Sequence, residues 1–250
     1  MIPVKSQTAI EKMRAAGKIV ADTLAYVEPF IKPGITTKEL DKLAEDFILS
    51  RGAKPNFKNY NGYPAATCIS VNDAVIHGIP DGYALKDGDI VSLDFGAVLD
   101  GYHGDAARTY AVGASSKGAE RLISVTRACF YEGLKEARHG RRVGDISNAV
   151  QRHAEQNGFS PVQAFAGHGI GRELHEEPPV PNFGAPGQGP LLRAGQVLAI
   201  EPMINAGGFA VKVERDGWTV RTKDGSLSAH YENTVLITYG EPEILTTNNE

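Results

Sequence analysis

Asp94 and Asp105 stand one on each arm of the segment Ile90 to Val112, IVSLDFGAVLDGYHGDAARTYAV. Between them lies Asp100-Gly101, a dipeptide suited to a two-residue hairpin turn, where both central residues need positive φ. With that turn, Gly96 faces Asp105 and Asp94 faces Ala107. Side chains alternate with period two along a strand. Both aspartates therefore project from one face as diagonal neighbours, about 7–8 Å apart at the backbone, near enough to share one small object. A turn one residue longer would break this parity. Asp94 is flanked by Ile90, Val91, Leu93 and Phe95, and a carboxylate in a buried apolar strand is costly unless it is paired or holds a metal. Two readings stay open at this point: acids satisfied by a nearby arginine or backbone donor, or a carboxylate pair holding an ion.

The elements that must position this hairpin are legible around it. A helix opens at Thr8, with Glu11 in capping-box spacing, and carries the apolar stripe Ile10, Met13, Ile19, Val20, Leu24 and Val27 until Pro29 and Pro33 end it. A second opens at Thr36 with Glu39 three residues on, buries Leu40, Leu43, Ala44, Phe47 and Ile48, and stops at Gly52. A loop rich in Asn, Pro, Gly and aromatics covers 54–65, a strand runs from Thr67 to Val71, and AVIHGIP follows at 74–80. Beyond the hairpin, helices are expected from Ala119 to Ala137 and from about Asp145, as N-cap, to Gly158. The chain is extended through Phe159, Pro161 and Val162. Then come a glycine-rich segment at 167–179, a Pro/Gly-rich loop at 180–190, strands at 196–204 and 209–213, and a last hairpin from Trp218 to Thr238 turning near Asp224-Gly225.

The second half echoes the first. LKDGDIVSLD at 85–94 matches LRAGQVLAIE at 192–201, and Gly34, Leu40, Ala44, Gly52 and Pro55 match Gly140, Ile146, Val150, Gly158 and Pro161 at nearly the same offset. This is one long duplication, not the short period of a solenoid. It predicts an α+β chain, a single domain over 1–250 whose halves, about 8–113 and 117–238, are related by a pseudo-twofold axis, with strands meeting centrally and helices outside. The axis relates Asp94 to Glu201. Glu232, in AHYENTVLI on the last hairpin, stands roughly where Asp105 stands. Asp94, Asp105, Glu201 and Glu232 are thus expected together where the halves join.

Composition bounds the partners. The 250 residues are 42% hydrophobic and 22% charged, with net charge −4 and no long basic run, so nothing advertises DNA or a membrane surface. No apolar run approaches the roughly 20 residues that span a bilayer. The first residues lack the apolar stretch of a secretory signal, which points to the cytoplasm. Cys68 and Cys129 are too few for a disulfide framework and lack zinc spacing. They are read as reduced thiols, although count alone leaves one pair open.

Of seven histidines, His77, His168 and His175 sit beside Gly or Pro in irregular segments, where functional residues concentrate. His103, His139, His153 and His230 are assigned structural places, with His103 and His230 flanking ligand candidates. Gly167-His168-Gly169-Ile170-Gly171 lacks the spacing of a phosphate loop; its glycines are read as letting the backbone pass close to a crowded site, with His168 as ligand. Four carboxylates and one imidazole form a hard, oxygen-rich set without thiolate, which argues against structural zinc. Two divalent ions would balance four carboxylates, so a dinuclear site with a water-activating role is expected.

Asp94, Asp105, His168, Glu201 and Glu232, in this order and spacing, resemble the metal-binding set of the methionine aminopeptidases. FAGHGIGRELHEEPPVPNF, SVNDAVIHGIP, LDFGAVLDGYHGDAARTY and AIEPMINAGG resemble the type I, short bacterial form, over about Thr8 to Thr238. Phe183 departs slightly from the usual signature. The resemblance implies the pita-bread fold and two divalent ions (Co, Mn, Fe or Zn). It implies that Asp94 and Asp105 hold one ion, that His168 and Glu201 hold the other, and that Asp105 and Glu232 bridge. It makes Glu201 a proton shuttle and His77 and His175 substrate-contacting catalytic residues. Tyr60, Tyr63, Cys68 and Trp218 become the methionine pocket, with Phe57 and Leu174 at its rim. The implied substrate is the N-terminal methionine of nascent polypeptides with a small second residue; nothing in the sequence marks an oligomer, so a monomer is the default expectation, and contact with the ribosome is not readable from it. A proline-directed aminopeptidase or prolidase of the same fold is the alternative.

Overall fold

The computed structural model describes residues 2–248; Met1, Asn249 and Glu250, which the expected 1–250 domain includes, lie outside the described residues. The hairpin forms with the expected parity. Ile90–Leu99 and Tyr102–Ala111 pair antiparallel over their full lengths, with Asp94 opposite Ala107 and Gly96 opposite Asp105. The turn is Asp100-Gly101, and both residues have positive φ, 50° and 74°, as a tight primed turn requires. On its other edge the Ile90–Leu99 strand pairs with Cys68–Val71, which sets Cys68 opposite Asp94.

The second half builds the same order of strands. Val197–Ile200 lies between Ala166–Gly169 and Asn233–Leu236, all antiparallel. The two sheets meet along Tyr102–Ala111 and the 230–234 segment through a reciprocal pair of threonines. The Thr234 hydroxyl accepts from the Asp105 backbone N–H at 3.0 Å and donates to its carbonyl at 2.9 Å. The Thr109 hydroxyl does the same for His230, at 2.8 and 2.9 Å. The register therefore makes Asp105 the counterpart of His230, and Ala107 the counterpart of Glu232. The expected equivalence of Asp94 and Glu201 fits this frame. The expected equivalence of Asp105 and Glu232 does not: Glu232 lies two residues further along the ladder, its N–H bonded to the Ala107 carbonyl at 3.0 Å.

Among the described residues four α-helices cover the outside. Helices α1 (Gln7–Val27) and α2 (Thr37–Ser50) bury Val20, Leu24, Leu40 and Ile48 against Val91, Leu93 and Phe95 of the first sheet. Helices α3 (Lys117–Glu136) and α4 (Val143–Gln156) cover the second half, where Phe130 and Ile146 meet Leu198 and Val235. The capping box at Thr36 and Glu39 forms as expected. Two caps differ from expectation. The α1 cap is Ser6, whose hydroxyl accepts from the Ala9 N–H, because the helix begins at Gln7 and its cap lies two residues before Thr8. Asp145 is the third helical residue rather than the N-cap, and accepts from the Arg142 N–H at 2.8 Å.

Two strand expectations also change. The stretch 196–204 breaks into Val197–Ile200 and Met203–Asn205, which belong to different sheets; Pro202 between them has no N–H to continue a ladder. The last hairpin from Trp218 to Thr238 is not a hairpin. Val220–Thr222 pairs with Val211–Val213 and Ala74–Ile76, while Ser228–His230 pairs with Met203–Asn205. The Asp224 turn remains, closed by its carboxylate on Ser226 and Gly208, but the strands it joins find other edges to complete. Among the described residues no helix is long and apolar enough to cross a membrane.

Helix α1 reaches the hairpin through glycine on glycine. A Cβ on Gly104 would lie 2.8 Å from Gly17 Cα, and one on Gly17 would lie 2.4 Å from the Leu245 carbonyl oxygen. In an open helix Gly→Ala gains about 1 kcal/mol of helix propensity; here overpacking, typically about 1–3 kcal/mol, outweighs it. Gly17→Ala is expected to lower stability in chemical denaturation, and a variant as stable as wild type would show that the helix is free to shift.

Candidate metal and peptide site

One cavity of about 380 Å³ is lined by Phe57, Tyr60, Asn61, Tyr63, Cys68, His77, Asp94, Asp105, His168, His175, Glu201, Trp218 and Glu232. Every expected ligand, catalytic and pocket residue is therefore gathered here, from segments up to about 170 positions apart. Leu174 is buried beside it among Phe57, Tyr63 and Cys68. A larger groove of about 710 Å³ opens between Asp73, Asp81, Glu214 and Arg221. It contains no histidine, and its Arg221 is already paired with Asp73, so the chemistry belongs to the smaller cavity.

The acids come from two kinds of place. Asp94 and Asp105 sit within continuous ladders of the hairpin. Glu201 and Glu232 sit where the chain changes sheet, just after Val197–Ile200 and just before Asn233–Leu236. The Tyr231 N–H donates to the Pro202 carbonyl at 3.1 Å, bridging the two crossings. Arg108 locks the second one. Its guanidinium donates to the carbonyls of Ala107 and Glu232 and to Asn233 Oδ1 at 2.7 Å, and lies 4.2 Å over the Tyr231 ring. Sequence reading missed Arg108, since only the fold brings it to these carbonyls. His168 arrives on Ala166–Gly169, a strand squeezed between neighbours. A Cβ on Gly167 would lie 2.3 Å from the Ala199 carbonyl oxygen, and one on Gly169 would lie 2.2 Å from that of Glu177, so close approach explains these two glycines.

Ligand atoms of Asp105, His168 and Glu232 all lie within 4.8 Å of one another. His168 Nε2 is 3.6 Å from Glu201 Oε1. His168 Nδ1 is 2.9 Å from the Gly169 carbonyl oxygen; as its donor it leaves the Nε2 lone pair facing the acids. Asp94 Oδ1, Asp105 Oδ1, Glu232 Oε1 and His230 Nε2 are buried without hydrogen-bond partners. Among the described residues the four acids have no lysine or arginine ion-pair partner, only His168 and His230 within 4.0 Å. The reading in which an arginine satisfies the aspartates is thus not what the fold builds. Unpartnered carboxylate oxygens converging with a lone-pair nitrogen fit a hard divalent cation.

Electrostatics point the same way. Burial raises Asp94 to about 7 and Glu201 to about 8. Burial, then the neighbouring carboxylates, push Asp105 and Glu232 well above the carboxylate range. Burial lowers His168 to about 3 and His77 to about 4, so both are neutral. Around the acids, Tyr63 donates its hydroxyl to the Gly78 carbonyl at 2.8 Å and meets the Trp218 ring edge-on at 5.2 Å. Tyr60 is hydrogen-bonded to His175 Nδ1 at 2.7 Å. His77 holds a left-handed backbone, φ 57°, a costly conformation for a non-glycine residue that recurs at functional sites. Cys68 and Cys129 are both free thiols.

These shifts set a pH dependence for the metal-free protein. The unfolded chain releases its carboxyl protons near pH 4, whereas the native chain keeps those of Asp94 and Glu201 to about 7 and 8. The native state then binds more protons, and stability falls as pH rises. The buried histidines act oppositely, but only below about pH 6.5, where the unfolded chain protonates. Metal-free protein is expected to lose thermal stability from about pH 6.5 to 8.5 in calorimetry, and saturating divalent metal to flatten the loss; an unchanged slope with metal would contradict the site.

The model of metallopeptidase family M24 matches residues 11–239. A methionine aminopeptidase of Clostridium perfringens is 57% identical over 98% of this chain and 99% of its own. The crystal structure of the Thermotoga maritima methionine aminopeptidase superposes with a TM-score of 0.98 at 46% identity, covering 99% of this chain and 100% of that one. A prolidase from Pyrococcus furiosus, 22% identical, shares the fold alone, with a TM-score of 0.81 over 99% of this chain and 66% of its own. The pita-bread arrangement expected from the sequence is the fold of this molecule, and the chain belongs to metallopeptidase family M24.

Proposed function

We propose that this chain removes the N-terminal methionine of peptides and nascent proteins whose second residue is small, using two divalent ions held by Asp94, Asp105, His168, Glu201 and Glu232. The observation that carries this reading is the convergence of buried, unpartnered carboxylate oxygens and His168 Nε2 beside an apolar aromatic pocket. Bound divalent metal supplies Lewis acidity and a water of lowered pKa. Glu201, ionised when it holds metal beside His168, takes the proton of the attacking water and returns it to the leaving amine. His77 and His175 face the scissile carbonyl and donate N–H groups to the developing oxyanion. Tyr60, Tyr63, Cys68 and Trp218, with Phe57 at the rim, enclose the methionine side chain, whose thioether gains about 0.3–1.5 kcal/mol against an aromatic edge. The four acids that favour metal also disfavour a second carboxylate, so the first residue is recognised through its side chain and its free amine. A proline-directed activity has only a likeness of fold behind it.

Met-Ala-Ser is expected to release methionine, Ala-Pro peptides to remain uncut, and chelation to abolish turnover, with metal analysis giving two equivalents per chain. Full activity in a metal-stripped preparation would sink the proposal. Glu201→Gln should lower kcat by more than about 10³ with the fold retained by circular dichroism. Removing one oxyanion donor typically costs about 10²–10³ in kcat, so His77→Ala should act on kcat while Trp218→Ala acts mainly on KM.

A further inference from the structure

His230 is a buried titratable group that the mechanism above does not use. It is 2% exposed, and its Nε2 has no hydrogen-bond partner. That nitrogen is 3.6 Å from Glu201 Oε2 and 4.0 Å from Glu232 Oε2. At the other oxygen of the same carboxylate, His168 Nε2 is 3.6 Å from Glu201 Oε1. Glu201 therefore stands between two imidazoles, one at each oxygen.

We infer that His230 is a positioning residue of the metal centre: its Nε2–H directs Glu201 Oε2, so that Oε1 is presented beside His168. The inference rests on the metal-site reading above. The two imidazoles have different tasks because their surroundings differ. Donation from His168 Nδ1 to the Gly169 carbonyl leaves its Nε2 a lone pair. A neutral imidazole has one N–H and one lone pair, and His230 Nε2 faces two carboxylate oxygens that can only accept when ionised.

The backbone supports the assignment. His230 precedes Glu232 by two residues, and the 4.0 Å between His230 Nε2 and Glu232 Oε2 puts both side chains on the same side of the chain. The Thr109 hydroxyl fixes both the N–H and the carbonyl of His230, as Thr234 does for Asp105. The pseudo-twofold thus delivers an aspartate in one half and an imidazole in the other. A fifth carboxylate there would add like charge; an N–H donor at that position offsets it. Groups that orient metal ligands in this way typically carry 10–100-fold in metal affinity or activity.

The test compares metal-free wild type, His230→Gln and His230→Leu by calorimetric titration with Mn²⁺, with melting of the metal-free proteins and kcat and KM for Met-Ala-Ser at saturating metal. Glutamine keeps an N–H of similar reach and should bind Mn²⁺ within about 3-fold of wild type. Leucine should weaken Mn²⁺ binding about 10–100-fold and lower kcat with KM nearly unchanged, while its metal-free melting temperature holds. If leucine does not fold, His230→Met supplies the apolar arm. Wild-type affinity and kcat in the apolar variant would overturn the inference, as would glutamine falling as far as leucine. A wild-type protein that binds no Mn²⁺ would instead overturn the metal-site reading on which it rests.

Discussion

Four carboxylates buried within reach of one another repel, and each has given up water to be there. Such an arrangement costs several kcal/mol per charge unless something compensates. Burial and mutual charge hold all four acids above their ordinary proton affinities, which is how a metal-free chain lessens that cost. The fold must supply the rest. It does so by fixing the backbones that carry the acids, so that the side chains cannot drift apart into solvent. Bound cation and rigid frame are thus complementary: the frame holds the repelling oxygens in place, and positive charge makes that placement favourable.

The frame comes from the duplication. Each half contributes a three-strand antiparallel set, and the reciprocal Thr109–His230 and Thr234–Asp105 contacts lock the two sets in register. Symmetry of the backbone does not extend to the chemistry. Asp94 and Glu201 are counterparts, yet Asp105 is matched by His230 and Glu232 by Ala107. A symmetric donor set would make two like half-sites. The asymmetric one places both imidazoles nearest Glu201, those of His168 and His230, in the second half.

Sheet switching explains the difference between the two pairs of acids. Asp94 and Asp105 lie in long ladders, and their face is set by strand period alone. Glu201 and Glu232 lie at breaks, beside Pro202 and Tyr231, where no ladder fixes a side chain. There Arg108 and the Tyr231–Pro202 hydrogen bond hold the backbone instead. Precision at the second pair is therefore a tertiary property, contributed by Arg108 from the opposite half and by the hydrogen bond between the two crossings.

Local patterning determined a good part of this protein. Period two and a turn dipeptide were enough to put Asp94 and Asp105 on one face, because hairpin parity depends only on neighbours in sequence. Duplicated segments gave two halves and the Asp94–Glu201 relation, and apolar stripes gave the four helices. What local pattern could not decide was where strands choose partners. The segment from Trp218 to Thr238 reads as a hairpin because its turn is real, yet its strands pair elsewhere, since unfilled sheet edges in the assembled molecule outcompete each other's. His230 was unremarkable in sequence for the same reason: a histidine between apolar residues acquires meaning only from Glu201 3.6 Å away, and that distance exists only once the two halves have closed.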